Sequence, residues 1–153
     1  MCKRIFVALD GSATAQLALI EAIQLARLPG MSLCIGTVLD SSLLEQNNIG
    51  MGTLIDVGEM KAGMRQAAER LLDDAVAKAK EAGLDPYRIL VESSQKRVAE
   101  LIVDAAKQFD ADLIVIGTHG RRGFERMVMG SVAENLVRIA TTSLFLVRRK
   151  AAE

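Results

Sequence analysis

The chain has 153 residues, and its 19 basic and 19 acidic side chains leave a formal net charge of zero. That balance supplies no global field to attract nucleic acid or an anionic membrane, and the length suits one domain, residues 1–153, with a sizeable core. Half of the residues are hydrophobic but only 3% are aromatic, so the core must be aliphatic, and two cysteines are too few for a disulfide framework.

Arg4 to Leu9 reads as an apolar strand that stops at Asp10-Gly11-Ser12. Asp10 interrupts the run too early for a secretory signal or a membrane span, so the expected location is the cytoplasm. Ala13 to Arg27 follows as a helix. Leu17, Ile20, Ile23 and Leu25 to Leu28 recur at helical spacing with alanines between them, and Pro29-Gly30 breaks the pattern. Met31 to Leu39 is a second strand, in which Cys34 reads as a buried, inert thiol. Asp40 to Gly58 mixes Asn47, Asn48, Gly50 and Gly52 with apolar residues. It reads as a long loop, expected to fold over a ligand or partner.

Glu59 to Ala82 is the longest helix. Its apolar face is Met60, Met64, Ala67, Ala68, Leu71, Ala75, Val76 and Ala79, and Gly83 with Pro86 stops it. Arg88 to Glu92 is a third strand. Ser93-Ser94 opens a helix whose Val98, Leu101, Ile102, Ala105 and Phe109 share a face. Leu113 to Ile116 is a fourth strand, Ser131 to Ile139 a fourth helix, and Ser143 to Arg148 a fifth strand.

These strands are continuous apolar runs that alternate with helices, which points to a parallel sheet covered on both faces. Right-handed crossovers make it a doubly wound α/β fold. Ligands in such folds lie beyond the carboxyl ends of the strands, where the strand order reverses. With the order 3-2-1-4-5, Asp10 and Gly117 become neighbours in space.

The stretch from Asp112 to Leu136 carries the chemistry. A β-branched run ends at Gly117, Gly120 follows, and Gly130-Ser131 opens a helix. Ser131 and Glu134 have the spacing of a capping box, with Ser131 as the cap. Glycines let backbone approach closely, and the N–H groups of a helix start favour an anion. Arg121, Arg122 and Arg126 add positive charge. An ordinary strand-to-helix connection has the same glycines, and Asp10 with Ser12 has the chemistry to cap the first helix as well as to meet a ligand.

Other site classes are unsupported. His119 is the only histidine, and no Cys/His cluster exists for a transition metal. There is no G-x4-G-K-[ST] loop, no G-x-G-x-x-G after the first strand, and no Ser-His-acid arrangement at motif level.

The opening Ile5-Phe6-Val7-Ala8-Leu9-Asp10-Gly11-Ser12, the segment Asp112 to Gly120, and Gly130-Ser131-Val132-Ala133-Glu134 resemble the universal stress protein family, single-domain type, over nearly the whole chain. The pattern G-x2-G-x9-G-[ST] is similar to that of the family's ATP-binding branch. The resemblance implies a Rossmann-like adenine-nucleotide-binding fold, a five-stranded parallel sheet with helices on both faces. It assigns nucleotide-binding positions to Ala8 and Asp10 after strand one, Val38 in strand two, and Ile116 and Gly117 in strand four. In the loop and helix start it assigns His119, Gly120, Arg121, Gly130, Ser131 and Val132. It implies ATP as ligand, with Mg²⁺ carried through phosphate oxygens, and a nucleotide-dependent regulatory or sensor role in stress response. It also implies a homodimer through the edge strand Leu144–Val147 and an unidentified protein partner. The alternatives are a slow ATPase or phosphotransferase, and a nucleotide-free scaffold. Thr141-Thr142-Ser143-Leu144 stands where the family often has Pro-Cys-Pro-Val, and Ser93-Ser94-Gln95 where it often has Gly-x-Pro.

Overall fold

A computed structural model describes residues 2–42, 44, 56–93, 95–119 and 129–149. The elements in chain order are β1 (Arg4–Leu9), α1 (Ala13–Ala26), β2 (Ser32–Asp40), α2 (Val57–Glu81), β3 (Tyr87–Ser93), α3 (Val98–Gln108), β4 (Leu113–Gly117), α4 (Ser131–Ile139) and β5 (Ser143–Val147). The strands form one five-stranded sheet in the order β3-β2-β1-β4-β5. Every neighbouring pair is parallel. No described helix is long and apolar enough to cross a membrane.

Alternation along the buried strands sends side chains to two separate aliphatic cores. On one face, Ile5, Val7, Leu33, Ile35 and Val115 pack beneath α1 and α2. On the other, Phe6, Ala8, Cys34, Ile114 and Ile116 pack beneath α3 and α4. Cys34 is fully buried, and burial pushes its thiol pKa up to about 12, so it stays protonated.

The helices expose what their periodicity alone does not reveal. In α1 the buried face is Thr14, Ala15, Ala18, Leu19, Ala22 and Ala26, while Leu17 and Ile20 are exposed. An alanine stripe with Leu19 meets the sheet, because small side chains let the helix lie close against it. In α2 the buried residues are Ala68, Leu72, Ala75 and Ala79, and Met60 and Met64 are exposed. Its first turns therefore overhang the sheet. The helix also starts earlier than the apolar pattern suggests, because Asp56 caps it by accepting from the Glu59 N–H at 3.1 Å. It ends as expected: Gly83 takes φ 85°, and the N–H of Leu84 returns to the Ala79 carbonyl at 3.0 Å.

Two expected helix starts move. The third helix begins at Val98 and not at Ser93-Ser94, since β3 runs on through Ser93. Arg97 is the cap position there, and the Glu100 carboxylate accepts its N–H at 2.9 Å. The fourth helix has Gly130, in extended conformation, as its cap, with Ser131 already the first helical residue. The capping box expected from Ser131 and Glu134 does not form, and Glu134 pairs instead with Arg138 at 2.7 Å. The loop expected over Asp40 to Gly58 is shorter at both ends, since β2 includes Asp40 and α2 begins at Val57, and residues 43 and 45–55 lie outside the described residues.

Asp112 ties the amino-terminal start of β1 to that of β4. Its Oδ2 accepts the N–H of Lys3 at 2.8 Å and of Arg4 at 2.9 Å. Arg4 in turn lies over the Phe109 ring, 4.2 Å from its centroid, and its Nε donates to the Phe109 carbonyl. The backbone donors, Lys3 foremost and then Arg4, hold the Asp112 carboxyl below the usual carboxylate range. A depressed folded-state pKa means that this stabilisation is present above about pH 3.9 and is lost as pH falls through the lower folded value. Asp112→Ala is therefore expected to unfold at a lower temperature than the parent chain at neutral pH. The gap between the two melting curves should narrow as the pH is taken below about 3.9.

Candidate functional site

The carboxyl ends of β1 and β4 meet where the strand order reverses, and the turns that leave them build one cleft of about 750 Å³. β1 ends in Asp10-Gly11-Ser12. The Asp10 Oδ1 accepts the Ser12 N–H at 2.9 Å, which closes a tight side-chain turn, and Gly11 takes φ 81° within it. β2 ends in the same way, with Asp40 Oδ1 accepting the Ser42 N–H at 3.0 Å. Both carboxylates line the cleft. The cap of α1 is Ser12, whose Oγ accepts from the Ala15 N–H at 3.2 Å, so Asp10 shapes the turn without being the cap.

The chain after β4 is fastened to the start of α1. The Thr14 hydroxyl donates to the His119 carbonyl, and the Ser12 hydroxyl donates to it at 3.3 Å. Thr118 is buried, its Oγ1 is 3.0 Å from His119 Nδ1, and its carbonyl accepts the Gly130 N–H at 2.6 Å. That last bond sets the start of α4 beside the end of β4. Gly117 is required for this closure. A Cβ there would stand 2.7 Å from both the backbone carbon and the hydroxyl oxygen of Thr14, a distance that atoms in contact do not reach.

α4 opens on the cleft. Gly130, Ser131, Val132 and Ala133 line it. Among the described residues no side chain caps the helix. The first N–H groups of an α-helix have no intrahelical acceptor, and together with the dipole they favour an anion. The rest of the cleft is largely apolar, with Phe6, Gly36, Val38 and Val91 of the sheet, Met64 and Ala68 of α2, and Val98 and Ile102 of α3 among its lining.

Among the residues expected from sequence, Ala8, Asp10, Val38, Ile116, Gly117 and His119 line this cleft, as do Gly130, Ser131 and Val132. Gly120, Arg121, Arg122 and Arg126 fall outside the described residues. Sequence reading passed over Thr14, Thr37 and Thr118, all buried. Thr37 donates to the Leu9 carbonyl at 2.6 Å and so joins the ends of β1 and β2. A hydroxyl inside or just after an apolar strand was the available signal, since a buried hydroxyl must find a partner. Among the described residues no group of three or more His, Cys, Asp or Glu could hold a metal ion.

A doubly wound parallel sheet with a cleft at its switch point defines a class, the Rossmann-like α/β proteins. Within that class the chain belongs to the universal stress protein family, whose model matches residues 1–148. It is 30% identical over 147 residues to a putative universal stress protein of Staphylococcus aureus, covering 95% of this chain and 84% of that one. A crystal structure of a universal stress protein family member from Burkholderia pseudomallei is 34% identical, with a TM-score of 0.74 and 95% of each chain covered. The universal stress protein from Archaeoglobus fulgidus in complex with dAMP is 27% identical, with a TM-score of 0.65, covering 95% of this chain and 97% of that one.

Gly117→Ala tests the closure between β4 and α1. The added methyl group must displace the Thr14 backbone, and the expected loss is about 1–3 kcal/mol, the range for overpacking a well-filled interior. Urea unfolding followed by circular dichroism measures it.

Proposed function

We propose that the cleft binds an adenine nucleotide, with ATP the preferred ligand, and that the chain acts in the cytoplasm as a nucleotide-dependent regulatory or sensor module in stress response. The observation that carries this reading is the joining of an α4 amino terminus that no described side chain caps to a glycine-built strand end within one cleft. A helix start without a side-chain cap suits a phosphate, with the Ser131 hydroxyl as an added donor. The apolar recess beside Val38 suits a base, and Asp10, at the end of β1, lines the same cleft and suits a ribose hydroxyl. The dAMP complex of the Archaeoglobus relative supports the choice of an adenine nucleotide. Gly120 and Arg121 complete the proposed phosphate loop. Mg²⁺ accompanying ATP would be held by phosphate oxygens and water, as that ion commonly is.

Binding, and not turnover, is the proposed activity, with ATP hydrolysis at most slow. We also place a homodimer contact on β5. It is an edge strand, and Leu144, Phe145 and Leu146 are only half buried while Val147 is buried. An apolar edge of this kind is suited to pairing with its own copy across a two-fold axis.

Three measurements test this reading. Gly130 has φ −76° and ψ 158°, a conformation open to any residue, so Gly130→Val is expected to fold. In calorimetric titration it should lose ATP binding, and a folded variant with unchanged affinity would rule out the phosphate site. Phosphate release from ATP should run far below the roughly 10 s⁻¹ of a typical enzyme, and His119→Ala should leave it little changed. Light scattering should give a dimer for the parent chain and a monomer for Leu146→Lys.

A further inference from the structure

The wall that α2 gives to the cleft carries a thioether. Met60, Met64, Ala68, Leu72, Ala75 and Ala79 recur every three or four residues, so they share one face of the helix. From Leu72 onward that face packs into the aliphatic core. Before Ala68 no residue of α2 is buried, and the same face reaches the cleft instead, through Met64, Ala67 and Ala68. Among the described residues that line the cleft, only Met64 contains sulfur. It is 36% exposed, so solvent reaches a side chain that is also part of the cleft wall. Met60, one turn earlier, is 44% exposed and is not part of that lining.

The two thiols of the chain are poorer targets for an oxidant, because the thiolate is the reactive form. Cys34 is fully buried, and its pKa near 12 keeps it protonated. Cys2 is exposed, but desolvation first and the Asp112 carboxylate next raise its pKa as well. It also precedes β1, at the end of the sheet opposite the cleft. A thioether has no proton to lose, so its exposure governs its oxidation.

We propose that Met64 is an oxidation site through which a peroxide controls occupancy of the cleft. The proposal rests on the nucleotide reading given above and adds a regulator to it. The sulfur lone pair attacks one oxygen of hydrogen peroxide, and the O–O bond breaks as the S–O bond forms. The proton on the transferred oxygen passes to the departing hydroxide, which leaves as water. Sulfur is oxidised by two electrons, and the peroxide is reduced. Methionine sulfoxide places a strong acceptor in a cleft that Ala67, Ala68 and Val91 otherwise line with apolar groups. Covering that oxygen with a ligand that offers it no donor is unfavourable, so the oxidised cleft holds its ligand less tightly. A ligand seated against Met64 also shields it, so occupancy slows the modification.

Calorimetric titration with ATP, before and after treatment with hydrogen peroxide, tests this on the parent chain, Met64→Leu and Met60→Leu. Leucine nearly conserves the volume and carries no sulfur, so both variants are expected to fold, and each is compared only with its own untreated sample. Peptide mass spectrometry measures the sulfoxide at each methionine. In the parent chain, peroxide should convert Met64 and weaken ATP about tenfold, and methionine sulfoxide reductases with dithiothreitol should reverse both changes. Met60→Leu should show the same loss on treatment, and Met64→Leu should show none. ATP present during treatment should slow oxidation of Met64 and not of Met60. Should Met64→Leu bind ATP too weakly to titrate, that protection decides, and equal rates with and without ATP would overturn the proposal. Full oxidation of Met64 with unchanged affinity would overturn it too, as would a loss that persists in Met64→Leu, and both leave nucleotide binding intact. An untreated parent chain that binds no ATP would overturn the nucleotide reading itself, and the proposal with it.

Discussion

The structure depends on how closely the start of α1 approaches the end of β4. Gly117 has no side chain, and Thr14 occupies the space that one would need. That contact lets the Thr14 and Ser12 hydroxyls reach the His119 carbonyl, which fixes where the chain leaves the sheet. The departing backbone then passes Thr118, whose carbonyl takes the Gly130 N–H and sets the start of α4. A side chain at Gly117 would push α1 away from β4, and the turn after β1 and the helix after β4 would no longer face one cleft. Packing and site geometry are therefore one constraint.

The same economy of side-chain volume recurs through the fold. α1 lies on the sheet by an alanine stripe, and its exposed Leu17 and Ile20 contribute little to that contact. Gly36 leaves room that Phe6 partly fills. A chain with few aromatic residues builds its core from aliphatic layers, and at Gly36 and Gly117 a neighbour occupies the volume that a side chain would need. Because interiors are packed close to crystal density, a position left at glycine is felt as open space by its neighbours.

Membership of the universal stress protein family and the cleft at the switch point bear on different questions. The family match over residues 1–148 speaks for a shared fold and a shared cellular theme. Chemistry is decided by the side chains around the cleft, since one doubly wound scaffold hosts many activities. Here the lining divides into polar groups at the strand ends, Asp10, Asp40 and the start of α4 among them, and apolar side chains between the sheet and the helices α2 and α3.

The sequence by itself determined the parallel α/β class and part of the cleft's lining, and the resemblance supplied the strand order that the sheet adopts. Apolar strand runs, glycines at strand ends and the alternation of elements are local signals, and a doubly wound sheet turns them into a global arrangement by a small set of rules. Asp10, Gly117 and Gly130 were legible for that reason. Only the tertiary structure decided which helix face is buried, where the caps fall and what Gly36 is for. The α1 periodicity favours Leu17 and Ile20, yet these are exposed and the buried stripe is alanine-rich around Leu19. Ser131 has the right spacing for a cap, but the bond from the Gly130 N–H to Thr118 starts the helix one residue earlier. The volume shared by Phe6 and Gly36 lies between residues of two adjacent strands, and no pattern along the chain records the distance between them.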